Sequence, residues 1–174
     1  MKNLSLLFLL AFSLIACNKD DDTPQNPIDQ LPPATQIGAN KIGCLLDGQV
    51  FLPGNQPNAT NCFYQFVNGE HYFVMAFSRR NIDFIPIGLG VGTQKKQIEE
   101  GVTYSLNEFA DNNAYGAYSY GTFESSTNQV NTGELKITKL TSNIVSGTFW
   151  YDIIDYQGNL HTIREGRFDM QYTN

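Results

Sequence analysis

The side chains of this sequence able to do chemistry are few and scattered. Nucleophilic catalysis needs a Ser or Cys beside a positioned His and a carboxylate. The two histidines, His71 and His161, carry no nucleophile-elbow or comparable local signature, so each reads as a solvent-facing strand histidine. Paired carboxylates for glycoside hydrolysis can be assembled from Asp152, Asp155, Glu165 and Asp169, although acids near turns are ordinary surface residues. Asp111-Asn112-Asn113 offers oxygen ligands without the alternating spacing of a calcium loop, and reads as a turn. His71, His161, Cys44 and Cys62 lack any metal-ligand spacing. The sequence therefore predicts no metal and no cofactor. Gly88-Leu89-Gly90-Val91-Gly92 looks like a phosphate loop only in isolation. A dinucleotide site also needs a long helix and a parallel sheet, so the run reads as a glycine-rich strand end or bulge.

The aromatic residues are more suggestive. Tyr118, Tyr120 and Trp150 fall on predicted strands, and Trp150 alternates with polar neighbours. They are the candidate ligand contacts, because exposed aromatics stack on sugar rings or grip a partner at low entropic cost. The competing reading has a second layer covering this face, with Tyr115, Tyr118 and Tyr120 in the core. A net charge of −6 and a pI near 4.7 argue against nucleic acid as a partner, since phosphate affinity needs clustered Lys and Arg.

The elements that must position these residues are short strands. Segments 42–46 and 49–52 flank Asp47-Gly48, and 62–67 and 71–78 flank Asn68-Gly69, both favoured two-residue hairpin turns. Further strands are predicted at 82–89, 102–106, 115–123, 133–140, 144–154, 160–163 and 166–172. Pro86 marks an edge strand or a bulge. Only 94–100 (QKKQIEE) has a helical look. Alternation puts Val145, Phe149, Tyr151 and Ile153 on the core face of 144–154, and Leu135 and Ile137 on the inward face of 133–140. The hairpin 62–77 is apolar on both faces and is expected to be covered on both. The fold class is all-β: an antiparallel sandwich or barrel of about 8–10 short strands with at most one short helix.

Residues 4–15 (LSLLFLLAFSLI) form an uncharged run too short to span a bilayer and suited to a signal peptide. The Leu14-Ile15-Ala16-Cys17 that follows resembles the lipobox of bacterial lipoproteins. The resemblance implies removal of residues 1–16 and lipidation of Cys17, and so a membrane partner held through acyl chains without a transmembrane helix. Lys19-Asp20-Asp21-Asp22 is similar to the export signal behind the lipidated Cys of Bacteroidetes surface lipoproteins. It implies the outer membrane, with the domain on the cell surface or, failing that, on the periplasmic leaflet. Residues 17–36, with four prolines, read as an extended tether, and 37–174 as a single β domain. In an oxidising compartment Cys44 and Cys62 are expected to form one disulfide, the alternative being two buried thiols.

Ile42-Gly43-Cys44-Leu45-Leu46-Asp47-Gly48, residues 132–140 (TGELKITKL), Ile144-Val145-Ser146-Gly147-Thr148-Phe149 and Glu165-Gly166-Arg167-Phe168-Asp169 are similar to an uncharacterised family of Bacteroidetes lipoproteins, a domain of unknown function. The resemblance covers most of residues 34–174, and its motifs are structural, so it implies no catalytic residues. The function expected is a non-catalytic binding or structural role at the cell envelope, with a glycan or protein as ligand. The alternatives are a small hydrolase of envelope or external polysaccharide and a subunit of a larger surface assembly.

Overall fold

The computed structural model describes residues 26–173; the signal segment, Cys17 and the Lys19–Asp22 stretch lie outside them. Eleven strands follow one another: β1 Lys41–Leu46, β2 Gln49–Phe51, β3 Thr60–Val67, β4 Glu70–Arg80, β5 Pro86–Thr93, β6 Thr103–Asn107, β7 Ala114–Tyr120, β8 Phe123–Ser126, β9 Gly133–Leu140, β10 Ile144–Ile154 and β11 Leu160–Gln171. They make one sheet in the order β2-β1-β11-β10-β9-β6-β7-β5-β4-β3, with β8 on β7.

The sheet rolls over so that its two ends meet. Aromatic rings touch across the interior, Phe51 of β2 with Phe77 of β4 at 5.4 Å and Phe73 of β4 with Phe168 of β11 at 6.2 Å. At one end of the seam Thr173 bridges Phe63 of β3 and exchanges backbone hydrogen bonds with Cys62 and Tyr64. At the other, the Arg79 guanidinium lies 4.5 Å from the Phe51 ring centroid and donates to Val50 O at 3.1 Å. The all-β expectation stands, and alternation fills the interior: Val145, Phe149, Tyr151, Ile153, Leu135 and Ile137 are all buried.

Several local expectations are corrected. Residues 94–100 are not helical. Two turns are too few to nucleate a helix, and Ile98, their one apolar side chain, drops into the core. Lys96 N–H donates to His71 O and Ile98 N–H to the Tyr64 hydroxyl instead. β6 and β7 pair in parallel. Pro86 opens the central strand β5, where a first residue needs no ladder donor. The outer face of the β3–β4 hairpin is not covered, since Val67 is exposed at its tip and Asn61, Val74 and Ala76 line an open groove.

No disulfide joins Cys44 and Cys62. Each is a free, buried thiol on a core-facing position, Cys44 opposite Phe51 and Cys62 opposite Met75. Their strands are not neighbours, because β2 and the seam stand between β1 and β3. Burial pushes both thiols up to about 12, which leaves them as small apolar side chains.

The segment expected to be a tether is partly a strap on the rolled sheet. Pro27–Gln30 form a 3-10 turn capped by Asn26, whose Oδ1 accepts from Ile28 N–H at 3.1 Å. Leu31 is buried with Pro32 over Gly43 and Leu52; a Cβ on Gly43 would lie 2.6 Å from Leu52 Cδ2. The strap then closes on Asp169 of β11, which is 1% exposed. Its carboxylate accepts from Thr35 Oγ1 (2.6 Å), Ile37 N–H (3.0 Å), Gly38 N–H (2.8 Å), Ala39 N–H (3.1 Å) and Ser146 Oγ (2.8 Å). Among the described residues no cation pairs with it. Desolvation acts to raise its pKa, but these donors together outweigh it and hold the carboxyl well below the usual range.

Candidate functional site

β5 is built as Gly88-Leu89-Gly90-Val91-Gly92 in regular register with both neighbours. Leu89 and Val91 point into the core, so all three glycines face outward. A line of small residues therefore runs across five strands, Asn61–Ala76–Gly90–Ala117–Ser126. The result is a groove of about 490 Å³ on the outer face of the sheet.

Its two ends differ. At one end Tyr115 lies over Gly92, where an added Cβ would meet Tyr115 Oη at 2.8 Å and Phe73 O at 2.6 Å. The Phe109 ring meets Tyr115 edge-on at 4.7 Å and is itself exposed. At the other end Ser78, Ser119 and Glu124 line the wall, with Asn58 and Asn61 along the β3 side. Glycine leaves backbone as the floor at Gly90. One flat aromatic end, with hydroxyl, amide and carboxylate groups along the rest of the groove, suits a ring-shaped, hydrogen-bonding ligand.

The predicted ligand contacts do not assemble. Tyr118 is 6% exposed, faces the core and stacks on His161 at 4.5 Å. Tyr120 shares that inner face and is partly buried against the core. The outward tyrosine of β7 is Tyr115, one residue out of phase with them. Alternation of Gly with Leu89 and Val91, visible in the sequence, was the available signal for the groove; Phe109, in a loop, gave none.

Trp150 lies elsewhere, on the outer face of β10, and is 36% exposed. Its Nε1–H donates to Glu134 Oε2 at 3.2 Å, and the Arg164 guanidinium sits 5.3 Å from its ring. A bulge in β11 with Glu165 at φ +54° sets Arg164 there. Arg164 also bonds Asp152 at 2.6 Å and the Tyr151 and Ile163 carbonyls. A second groove of about 580 Å³ borders Trp150, Lys136, Glu165, Arg167 and Ala34 of the strap.

The acids proposed for hydrolysis are each engaged separately. Asp152 holds Arg164, Glu165 lies 3.7 Å from Arg167, and Asp169 holds the strap. Asp155 accepts from Gln157 N–H, Asn159 N–H and Asn159 Nδ2. Desolvation acts to raise its pKa, but these bonds and His161 bring it down to about 2. Neither groove is lined by two of these four acids. His161 sits between two carboxylates, Nδ1 at 2.7 Å from Asp47 and Nε2 at 3.5 Å from Asp155. Nε2 is buried without a hydrogen-bond partner among the described residues. This arrangement ties the β1–β2 turn to the β10–β11 turn. His71 instead stacks between Tyr64 and Phe66. Among the described residues no group of three His, Cys, Asp or Glu side chains converges to hold a metal.

No family model, curated protein or solved structure matches the chain.

Proposed function

We propose that this chain is a lipid-anchored protein of the bacterial outer membrane, facing the cell surface, whose β domain binds a saccharide in the groove over Gly90. The role is binding, not catalysis. The lipobox-like Leu14-Ile15-Ala16-Cys17 and the acidic stretch behind it support the anchor and the location. The observation that carries the binding role is the groove itself: β5 has no side chain on its outer face at Gly88 and Gly90, which line the groove. Gly in a strand interior weakens the sheet and marks close approach of another group. Phe109 and Tyr115 supply apolar ring faces, and Asn61, Ser119 and Glu124 supply the donors and acceptors a sugar needs.

The test is thermal unfolding of the protein against a panel of glycans and peptidoglycan fragments. A ligand at 100 times its dissociation constant adds about 2.7 kcal/mol. The stabilisation is expected to vanish in Phe109→Ala and to persist in Trp150→Phe. A shift lost only on changing Trp150 would move the site to the second groove. No shift across the panel would sink the saccharide reading.

A further inference from the structure

One end of the barrel is tipped with exposed apolar side chains, and the N-terminal chain leaves toward that end. The β4–β5 loop carries Ile82 and Phe84, exposed by 92% and 74%. The β7–β8 turn runs beside it, Gly121 N–H donating to Pro86 O at 2.9 Å. Phe123, next in that turn, stacks on Tyr156 of the β10–β11 turn with centroids 4.1 Å apart. Leu160 closes the same turn opposite Ile154. Phe123, Tyr156 and Leu160 are all exposed, so three adjacent loops form one apolar rim.

The Phe84 loop is held rather than loose. Phe84 adopts φ +60°, unusual for a bulky side chain. Its N–H donates to Asn81 O at 3.0 Å and its carbonyl accepts from Arg80 Nη1 at 3.1 Å, while Asn81 Oδ1 accepts from Asp83 and Ile85 N–H.

The strap gives the direction. It leaves Asp169 near the opposite end, crosses Gly43 and Leu52, and lays its 3-10 turn against β2, which follows directly on the Asp47-Gly48 turn of the apolar end. Eight residues lie between Cys17 and Asn26, a reach of about 30 Å from one to the other when fully extended.

We propose that this rim rests in the interfacial layer of the bilayer that holds Cys17, standing the barrel end-on to the membrane. The inference rests on the lipid-anchor reading above. A short leash delivers this end to the lipid surface. Separate protruding Ile, Phe, Tyr and Leu tips match shallow insertion among headgroups better than a flat protein face. Of the charges there, Asp47 and Asp155 turn onto His161. Arg80 and Asp83 remain at the tip and offset one another, so the rim has no basic excess and a zwitterionic surface fits. The Gly90 groove, on the side wall, stays open to solvent.

The test uses the full mature chain purified from membranes, its Cys17 adduct read by mass spectrometry, in phosphatidylcholine vesicles with shallow doxyl-labelled acyl chains. In a Trp150→Phe background, the indole introduced by Phe84→Trp is expected to lose at least about half its emission to the doxyl lipid. Trp150 of the unsubstituted protein is expected to lose none. Circular dichroism verifies the fold, and Ile154→Trp gives a second reporter if the first variant misfolds. An acylated, vesicle-bound chain whose reporter is unquenched overturns the rim proposal and leaves the anchor intact. So does a reporter shielded equally in unlabelled vesicles, which marks a protein contact. An unmodified Cys17 with no vesicle binding overturns the anchor and the rim together.

Discussion

Thr35 donates its hydroxyl hydrogen to Asp169 at 2.6 Å, joining two positions 134 residues apart in the chain. The same carboxylate gathers four more donors, so it must be ionised to do this work. An Asp in an unfolded chain titrates near 3.9, and the folded Asp169 titrates below that. As pH falls the unfolded chain takes up a proton that the folded chain refuses. The stabilisation is therefore whole above the unfolded value and is lost as pH falls through the folded one. Asp169→Asn puts an amide N–H₂ against donors and is expected to cost on the order of 3 kcal/mol at pH 7. It also flattens the dependence of urea-midpoint stability on pH below about 4, part of the remaining slope belonging to Asp155. Unchanged stability in this variant would mean the strap contributes nothing.

Gly92→Ala is expected to destabilise by about 1–3 kcal/mol, the ordinary cost of overpacking. The new methyl meets Phe73 O at 2.6 Å and the Tyr115 hydroxyl at 2.8 Å. Because Tyr115 must swing away, ligand binding in the groove should weaken with it. Equal stability by thermal melt would contradict the packing described for that end.

Arg79 fastens one end of the seam with a hydrogen bond to Val50 O and a face-on contact to Phe51. Arg79→Ala is expected to lose about 2 kcal/mol and to speed hydrogen exchange at the β2 amides. Arg79→Lys should recover only part, since an ammonium cannot lie flat on a ring while donating sideways. Exchange confined to β3 would place the weak point elsewhere.

Cys44 and Cys62, with thiols pushed up to about 12 by burial, should ignore thiol reagents in the native protein and react only on unfolding. Reductant should leave the melting temperature unchanged. Cys44→Ser is expected to cost about 1–3 kcal/mol by burying an unsatisfied hydroxyl. Loss of free thiol on native isolation would show that the pair does bridge.

The strands were legible because local patterns fix them. Asp47-Gly48 and Asn68-Gly69 do adopt positive φ at both turn residues, 52° and 77°, then 52° and 87°, which is what a two-residue hairpin demands. The alternation along β10 sorts its two faces with one exception, Ser146, buried because it serves Asp169. What escaped the sequence is set by distant partners. Among the described residues the proline-rich chain stays out of α-helix and sheet and makes only the short 3-10 turn, but composition says nothing of Leu31 finding Gly43, or of backbone N–H groups finding a carboxylate. Of the two readings open for Tyr118 and Tyr120, ligand contact or core, the inward one holds, because phase, not aromatic content, decides which tyrosine faces out. β6 against β7 in parallel follows from the roll of the whole sheet, which no turn signal encodes.

Thr173 at the seam and Asp169 beneath the strap have a consequence for synthesis. A ribosome delivers this chain N-terminus first, so residues 35–39 of the strap and the edge strand β3 wait for partners made much later, Asp169 and Thr173. Until they emerge, the strap has only its packing on Gly43 and Leu52, and that end of the seam lacks its bridge. β11 and Thr173 thus act as a clasp whose arrival licenses completion of the fold.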